Sequence, residues 1–294
     1  MNETEAAVST PSTRLNTQQV LGLLDTEFIG KADRFVFLPI VDSTNTLAMK
    51  LALQGSEEGV VVLTDSQKAG KGRQGRRWVD RAGCNVLLSL LLHPLFPPHL
   101  LVMVASLAVV ETITRVCGIA STIKWPNDVL IGERKVSGIL IETSHDLSGR
   151  LVAVVGIGVN VNGHISNYAE QVSDSSLSTQ WLSDKATTLA QECAHEVSRE
   201  TFIAHLLLQF EKNYLALQQE AHVIRTTNIT PSLSISRLIR EMWRDELSTL
   251  GRTIQVRQGD TLLSGVAEGV NENGELLLRS HSGECISITW GDIG

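Results

Sequence analysis

Apolar and polar positions change their period several times along this 294-residue chain, and each change marks an element. Phe35 to Ile40 is a β-type apolar run. Asp42-Ser43-Thr44-Asn45 then supplies capping side chains ahead of Leu47, Ala48, Leu51 and Ala52 at helical spacing, so a strand should hand over to a helix at Ser43-Thr44. Gly59 to Thr64 and Asn85 to Leu92 read as buried strands flanking a polar, glycine-rich stretch. Leu100 to Val116 is apolar on nearly every face; its most apolar part is too short to cross a bilayer, which predicts a core helix ended by Gly118. Val129 to Ile131 and Val136 to Glu142 predict a hairpin across Gly132-Glu133-Arg134-Lys135, and Leu151 to Val161 another buried strand. Ala186 to about Gln219 reads as helical, with Phe202, Leu206, Phe210 and Leu217 among its apolar positions. Beyond Gly251, short strands broken by Gly259, Gly265, Gly269, Asn273-Gly274 and Gly283 predict a small barrel-like β module.

Composition narrows the function classes. The 32 acidic and 25 basic side chains leave a net charge of −7, which opposes nonspecific attraction to nucleic acid or anionic membranes. Met1 to Thr13 is polar, without a basic segment leading into an apolar one, and reads as a frayed tail rather than a signal peptide. Four cysteines lie far apart with no C-x-x-C pair, which argues against structural zinc or a disulfide framework and fits a reducing cytoplasm. His195-Glu196 begins like a zinc-protease motif, but Arg199 stands where the second histidine belongs, so no metal site is expected.

Against this acidic background, Gly70-Lys71-Gly72-Arg73-Gln74-Gly75-Arg76-Arg77-Trp78 places four cations and three glycines in one loop. Such a loop is suited to closing on an anion, because its glycines permit close backbone approach and its cations repel one another until something negative gathers them. It also matches G-x-G-x-x-G, yet it opens no helix, and no acidic residue occurs between Asp80 and Glu111 to bind a ribose. A P-loop is excluded too, since Arg76-Arg77 replace the Lys-Ser/Thr pair.

Other pieces are ambiguous one at a time. Ser43-Thr44 either cap a helix or offer hydroxyls to the polar end of a small ligand. Lys135 is either an exposed hairpin lysine or one aimed into a cleft, where Gly138 would admit a ligand or another backbone. Gly156-Ile157-Gly158-Val159-Asn160 either lines a purine or ribose or bends a strand.

In this order the pieces, with Gln67 ahead of the loop and Lys124-Trp125-Pro126-Asn127-Asp128 after it, resemble the biotin protein ligases over about residues 35 to 294. The resemblance implies an α+β fold: a mixed-sheet catalytic domain similar to class II aminoacyl-tRNA synthetases at 32–247, a small SH3-like β barrel at 248–294 and an N-terminal extension at 1–31. It implies an enzyme that makes biotinyl-5′-AMP from biotin and ATP with Mg2+, without a permanently bound cofactor, and transfers biotin to a lysine of a biotin carboxyl carrier domain. Lipoate ligases share the fold, but their Arg-Arg leads into a glycine run, whereas Arg76-Arg77 here lead into Trp78-Val79.

Residue by residue, the resemblance assigns biotin to Ser43, Thr44, Asn45, Gln67, Gly70, Lys71, Gly72, Arg73 and Lys135. It assigns the nucleotide to Arg73, Arg76, Trp78, Asn127, Lys135 and Asn160, with Lys135, Arg73 and Asp128 catalytic. Lys71 departs from the family's usual arginine and lacks its planar fork. Some family members carry an N-terminal DNA-binding domain; only 42 residues precede Ser43 here, too few for one, so no operator binding is expected. Whether the protein forms a homodimer through its sheet edge stays open.

Overall fold

The computed structural model describes residues 14–166, 168, 184–229 and 234–293; the tail expected at Met1 to Thr13 lies outside them. Seven described strands make one mixed sheet: β1 (Phe35–Val41), β2 (Val61–Gln67), β3 (Val86–Leu92), β4 (Thr122–Lys124), β5 (Asp128–Ile131), β6 (Arg134–His145) and β7 (Leu151–Val159). Their order is β1-β2-β3-β7-β6-β5-β4. Only β1 and β2 pair in parallel, and the connection this demands is supplied by helix α2 (Thr44–Leu53). Every other neighbouring pair in this sheet is antiparallel.

The two faces of the sheet are separated by the two-residue period of its strands. On one face α3 (Leu100–Cys117) packs with Leu88, Leu90, Val155 and Ile157 in the main core. Nearly every residue of this helix up to Ile113 is buried, so it is a core helix; Gly118, left-handed at φ 68°, ends it and donates its N–H to Thr114 O. On the opposite face Ala48 and Ala52 of α2 rest on Val62, Leu91, Val152 and Val154. The recess of the candidate site lies on this second face.

The helical stretch expected from Ala186 to Gln219 is two helices. α4 (Leu189–Cys193) stops at Ala194, which is left-handed at φ 59°. Helix α5 (Arg199–Thr227) restarts where the Ser198 hydroxyl accepts the Thr201 N–H, and it continues past Gln219. A further helix, α6 (Ile235–Asp245), follows, its first turn held by Glu220, which accepts the N–H groups of Ile235 and Ser236 at 2.7 and 2.9 Å.

Residues 14–31 pack against the same core. Helix α1 (Thr17–Leu23) buries Val20, while Leu15, Leu24 and Ile29 join the main cluster. The buried Glu211 carboxylate on α5 accepts the N–H groups of Glu27, Phe28 and Ile29, at 2.5, 2.9 and 2.8 Å. Near the start of the segment, Asp65 accepts the Leu15 N–H at 3.3 Å and pairs with Arg199 at 2.8 Å, both charged groups being buried.

The C-terminal module is a five-stranded antiparallel, SH3-like sheet: β8 (Thr253–Gln258), β9 (Thr261–Val270), β10 (Leu276–Ser280), β11 (Cys285–Ile288) and β12 (Asp292–Ile293), ordered β11-β10-β9-β8-β12. It is joined to the main sheet through Trp125, whose indole N–H donates to Gly274 O and whose backbone N–H donates to the Thr249 hydroxyl, both at 3.0 Å.

Candidate active site

The site begins where the apolar row on β7 turns to glycine. Val152 and Val154 lie under α2, and Gly156 and Gly158 continue the same face past the N-terminus of that helix. Neither glycine bends the strand, since the β6–β7 ladder runs unbroken from Ser137 to His145; of the two alternatives open for this stretch the bend is excluded, and the glycines are two seats for side chains. A Cβ on Gly156 would lie 2.8 Å from Asn45 Cγ, and one on Gly158 would lie 2.7 Å from Trp78 Cε2. Gly138, paired directly with Gly158, is covered by the same indole, 3.0 Å from where its Cβ would stand. The glycines let Asn45 and Trp78 lie flat on the sheet.

Helix α2 forms the upper wall. Ser43 occupies its N-cap position, but its hydroxyl makes no capping bond, so its buried side chain is open to another partner. The Thr44 N–H and hydroxyl both donate to Gln67 Oε1, at 2.8 and 3.2 Å. Beneath them the wholly buried Ser89 hydroxyl lies 2.8 Å from Thr44 Oγ1 and 2.6 Å from Asn45 Oδ1. Asn45 Nδ2 donates onward to Glu142 at 2.9 Å. Ser43, Thr44, Asn45, Gln67, Lys71, Trp78, Gly138, Leu140 and Gly156 are among the residues bounding a recess of about 330 Å3, measured to its open mouth.

The cationic loop closes this recess as a small hairpin. Trp78 N–H donates to Gly70 O, Gly72 N–H donates to Arg76 O, and Lys71 bridges Arg77. Its tip is a turn at Arg73–Gly75, with Gln74 and Gly75 at φ 55° and 73°. Arg73 donates to Asn127 Oδ1 at 2.8 Å. Burial, with the neighbouring Arg76 charge, holds the Arg73 pKa below its ordinary value, against the opposing pull of Asp292 and Asp128. Arg76 pairs with Asp292 of β12 at 2.6 Å, so the C-terminal module touches the loop directly. Lys124, its pKa lowered mainly by burial, donates to Ile293 O at 2.8 Å.

Lys135 reaches the same face through a fault in the ladder. Residues three apart on a regular strand point to opposite sides, yet Lys135 Nζ lies 3.0 Å from the position of a Gly138 Cβ. The register of β5 against β6 shifts between Val129 and Leu130, leaving Val136 as the extra residue, and this bulge re-aims Lys135. Its ammonium lies 2.7 Å from Asp128 Oδ1 and 5.5 Å from the Trp78 ring centroid. Asp128 pairs with Gly138 across β5 and β6, which puts it beside the same floor.

Of the expected site residues, Ser43, Thr44, Asn45, Gln67, Lys71 and Trp78 line the recess; Gly70, Gly72, Arg73 and Arg76 line the hollow on the loop beside it, Asn127 meets Arg73, and Lys135 with Asp128 sits against the Trp78 and Gly138 wall. Asn160 stands apart from the recess lining: it is buried, and its Nδ2 donates to Thr187 O at 3.1 Å. Thr187 N–H in turn donates to Lys135 O at 2.9 Å, so Asn160 connects to the site through the Lys135 backbone. Sequence reasoning missed Ser89 and Glu142. A lone serine within Leu87–Leu92 was the only mark of the first, and nothing local marks the second.

Sequence comparison matches residues 37–162 to the Biotin/lipoate A/B protein ligase family and 249–293 to the biotin protein ligase C terminal domain. The biotin--[acetyl-CoA-carboxylase] ligase of Paracoccus denitrificans is 34% identical over 247 residues, 82% of this chain and 92% of that protein. The bifunctional ligase/repressor BirA of Bacillus subtilis is 31% identical over 274 residues, 92% of this chain and 76% of that one. The chain belongs to the biotin protein ligase family. The solved biotin protein ligase from Aquifex aeolicus in complex with biotin and ATP has the same fold, with a TM-score of 0.69 at 26% identity, covering 90% of this chain and 98% of that one. The mixed-sheet domain and SH3-like module expected from the sequence are thus those of a biotin protein ligase.

Proposed function

We propose that this biotin protein ligase joins biotin to ATP as biotinyl-5′-AMP and passes the biotinyl group to a lysine of a carboxyl carrier domain. The observation that carries the reading is proximity: a buried polar cradle and the Lys71 and Trp78 side chains of the cationic loop bound one recess, the bulge-directed Lys135 sits against Trp78 and Gly138 of its wall, and Arg73 of the same loop meets Asn127 beside it.

In the first step a biotin carboxylate oxygen attacks the α-phosphorus of ATP, the bond to the bridging oxygen breaks, and pyrophosphate leaves. Two anions held ~4 Å apart repel by about 4 kcal/mol at an effective dielectric near 20. Lys135 and Arg73 supply the opposing charge, with Mg2+ accompanying ATP. The first turn of α2 adds a positive helix end beside Ser43 and Thr44, which with Gln67 and the Lys71 to Arg73 backbone hold biotin. Arg76, Trp78, Asn127 and Asn160 serve the nucleotide side. A closed loop keeps water from the mixed anhydride, so its amides gain protection when ligand binds. In the second step the carrier lysine, freed of a proton, attacks the acyl carbon, and the bond to AMP breaks. Asp128 orients or deprotonates that amine, and its contact with Lys135 keeps both groups at the floor.

The test is incubation with biotin, MgATP and a carrier domain, followed by mass measurement, in parallel with Lys135→Ala and Arg73→Ala. Biotin-dependent labelling by the parent protein and loss in both variants is expected. Equal labelling by all three removes these residues from the mechanism.

A further inference from the structure

One carboxylate joins the loop to the helix cradle. Glu142, in the last third of β6, engages two walls of the recess with its two oxygens: Oε1 takes the Lys71 ammonium at 3.0 Å and Oε2 the Asn45 amide at 2.9 Å. Lys71 belongs to the cationic loop, Asn45 to the first turn of α2. Asn45 is itself tied through Ser89 to Thr44, and Thr44 to Gln67, so a continuous polar chain runs from loop to cradle. Glu142 borders the outer basic hollow beside the loop and is absent from the recess lining, while Lys71 borders both. It acts from behind.

We infer that Glu142 is a positioning residue that clasps the 70–78 loop shut over the recess, setting how tightly biotin and its adenylate are retained. A lysine at position 71 makes the clasp necessary. A single ammonium on a flexible stem has no fixed fork to hold its direction, and pairing with Glu142 fixes that direction while leaving two N–H groups for a ligand. The pair is partly solvent-exposed, so its loss is worth roughly twofold to fivefold in loop opening.

The test uses Glu142→Gln, which keeps an oxygen for Asn45 but turns an amide donor toward Lys71. Amide exchange is read first in the protein without ligand, so this arm does not depend on the ligase reading. The N–H groups of Gly72 and Trp78 should exchange roughly twofold to fivefold faster. Lys71→Met should do the same, and the double variant should match either single one rather than their product. The second arm does rest on the ligase reading: in biotin-dependent ATP–pyrophosphate exchange, Glu142→Gln should raise the KM for biotin and the rate of adenylate release by a similar factor, with kcat unchanged. Unaltered exchange at Gly72 and Trp78, multiplicative effects in the double variant, or a lower KM for biotin would each overturn the clasp. Absence of biotin-dependent exchange in the parent protein would instead defeat the ligase reading alone.

Discussion

Gly158→Ala tests whether the recess depends on Trp78 lying against bare backbone. The added Cβ would meet Cε2, Cζ2 and Cδ2 of the indole at 2.7, 2.8 and 3.2 Å, inside the 3.4 Å at which ordinary contact begins. The ring must retreat by about 0.7 Å, and it leaves Gly138 on the paired strand as it does so. Overpacking of this kind costs about 1–3 kcal/mol. Trp78 is held to Gly70 by its own N–H, so the displacement passes into the hairpin that closes the recess. The expected result is a KM for biotin raised between about fivefold and a hundredfold in pyrophosphate exchange, with Tm lowered by only a few degrees. Gly22→Ala is the control: it sits in α1 with nothing near its Cβ position, and alanine there should leave KM unchanged. A KM within twofold of the parent for Gly158→Ala would refute the seat.

Four further outcomes are expected. Lys135→Ala should slow biotinyl-adenylate formation by at least about a hundredfold in single-turnover measurements while changing biotin affinity far less, since its charge is needed most as the two anions meet. Glu211→Ala removes the acceptor of three backbone N–H groups, that of Ile29 in the interior and those of Glu27 and Phe28 half-buried, and should cost about 2–3 kcal/mol in denaturant unfolding, with proteolysis appearing first before residue 31. Burial raises the Asp80 pKa, so the folded state binds that proton more tightly and loses stability as pH rises from the ordinary carboxylate range; Asp80→Asn should improve Tm relative to the parent more at pH 7 than at pH 4. Asp292→Ala releases Arg76 from the C-terminal module and should change the KM for ATP more than that for biotin in steady-state assays.

What could be read from the residue string was what neighbours along the chain decide. The period of the apolar runs marked β1, α2, β2, β3, α3 and β7 within a few positions, and Gly118 marked a helix end because only its backbone chemistry was involved. The break between α4 and α5 escaped because Ala194, a strong helix former, takes a left-handed conformation that its residue type disfavours. Helix α6 is held at its start by Glu220, fifteen positions back from Ile235 in the chain. Gly138 and Gly158 could each be seen as points of close approach, but the indole that approaches comes from an arm about sixty to eighty residues earlier. Lys135 pointed into the cleft only because of the ladder fault at Val136, which no local pattern announces.

The placement of β7 between β3 and β6 fixes when the pocket comes into being during synthesis. A ribosome has released β1, α2, β2 and β3 long before it reaches residue 159, and until then β3 is an uncovered edge, apolar except for Ser89, awaiting its partner. No ligand of the recess can shield the nascent chain over that interval, because the glycine floor of the recess has not yet been made.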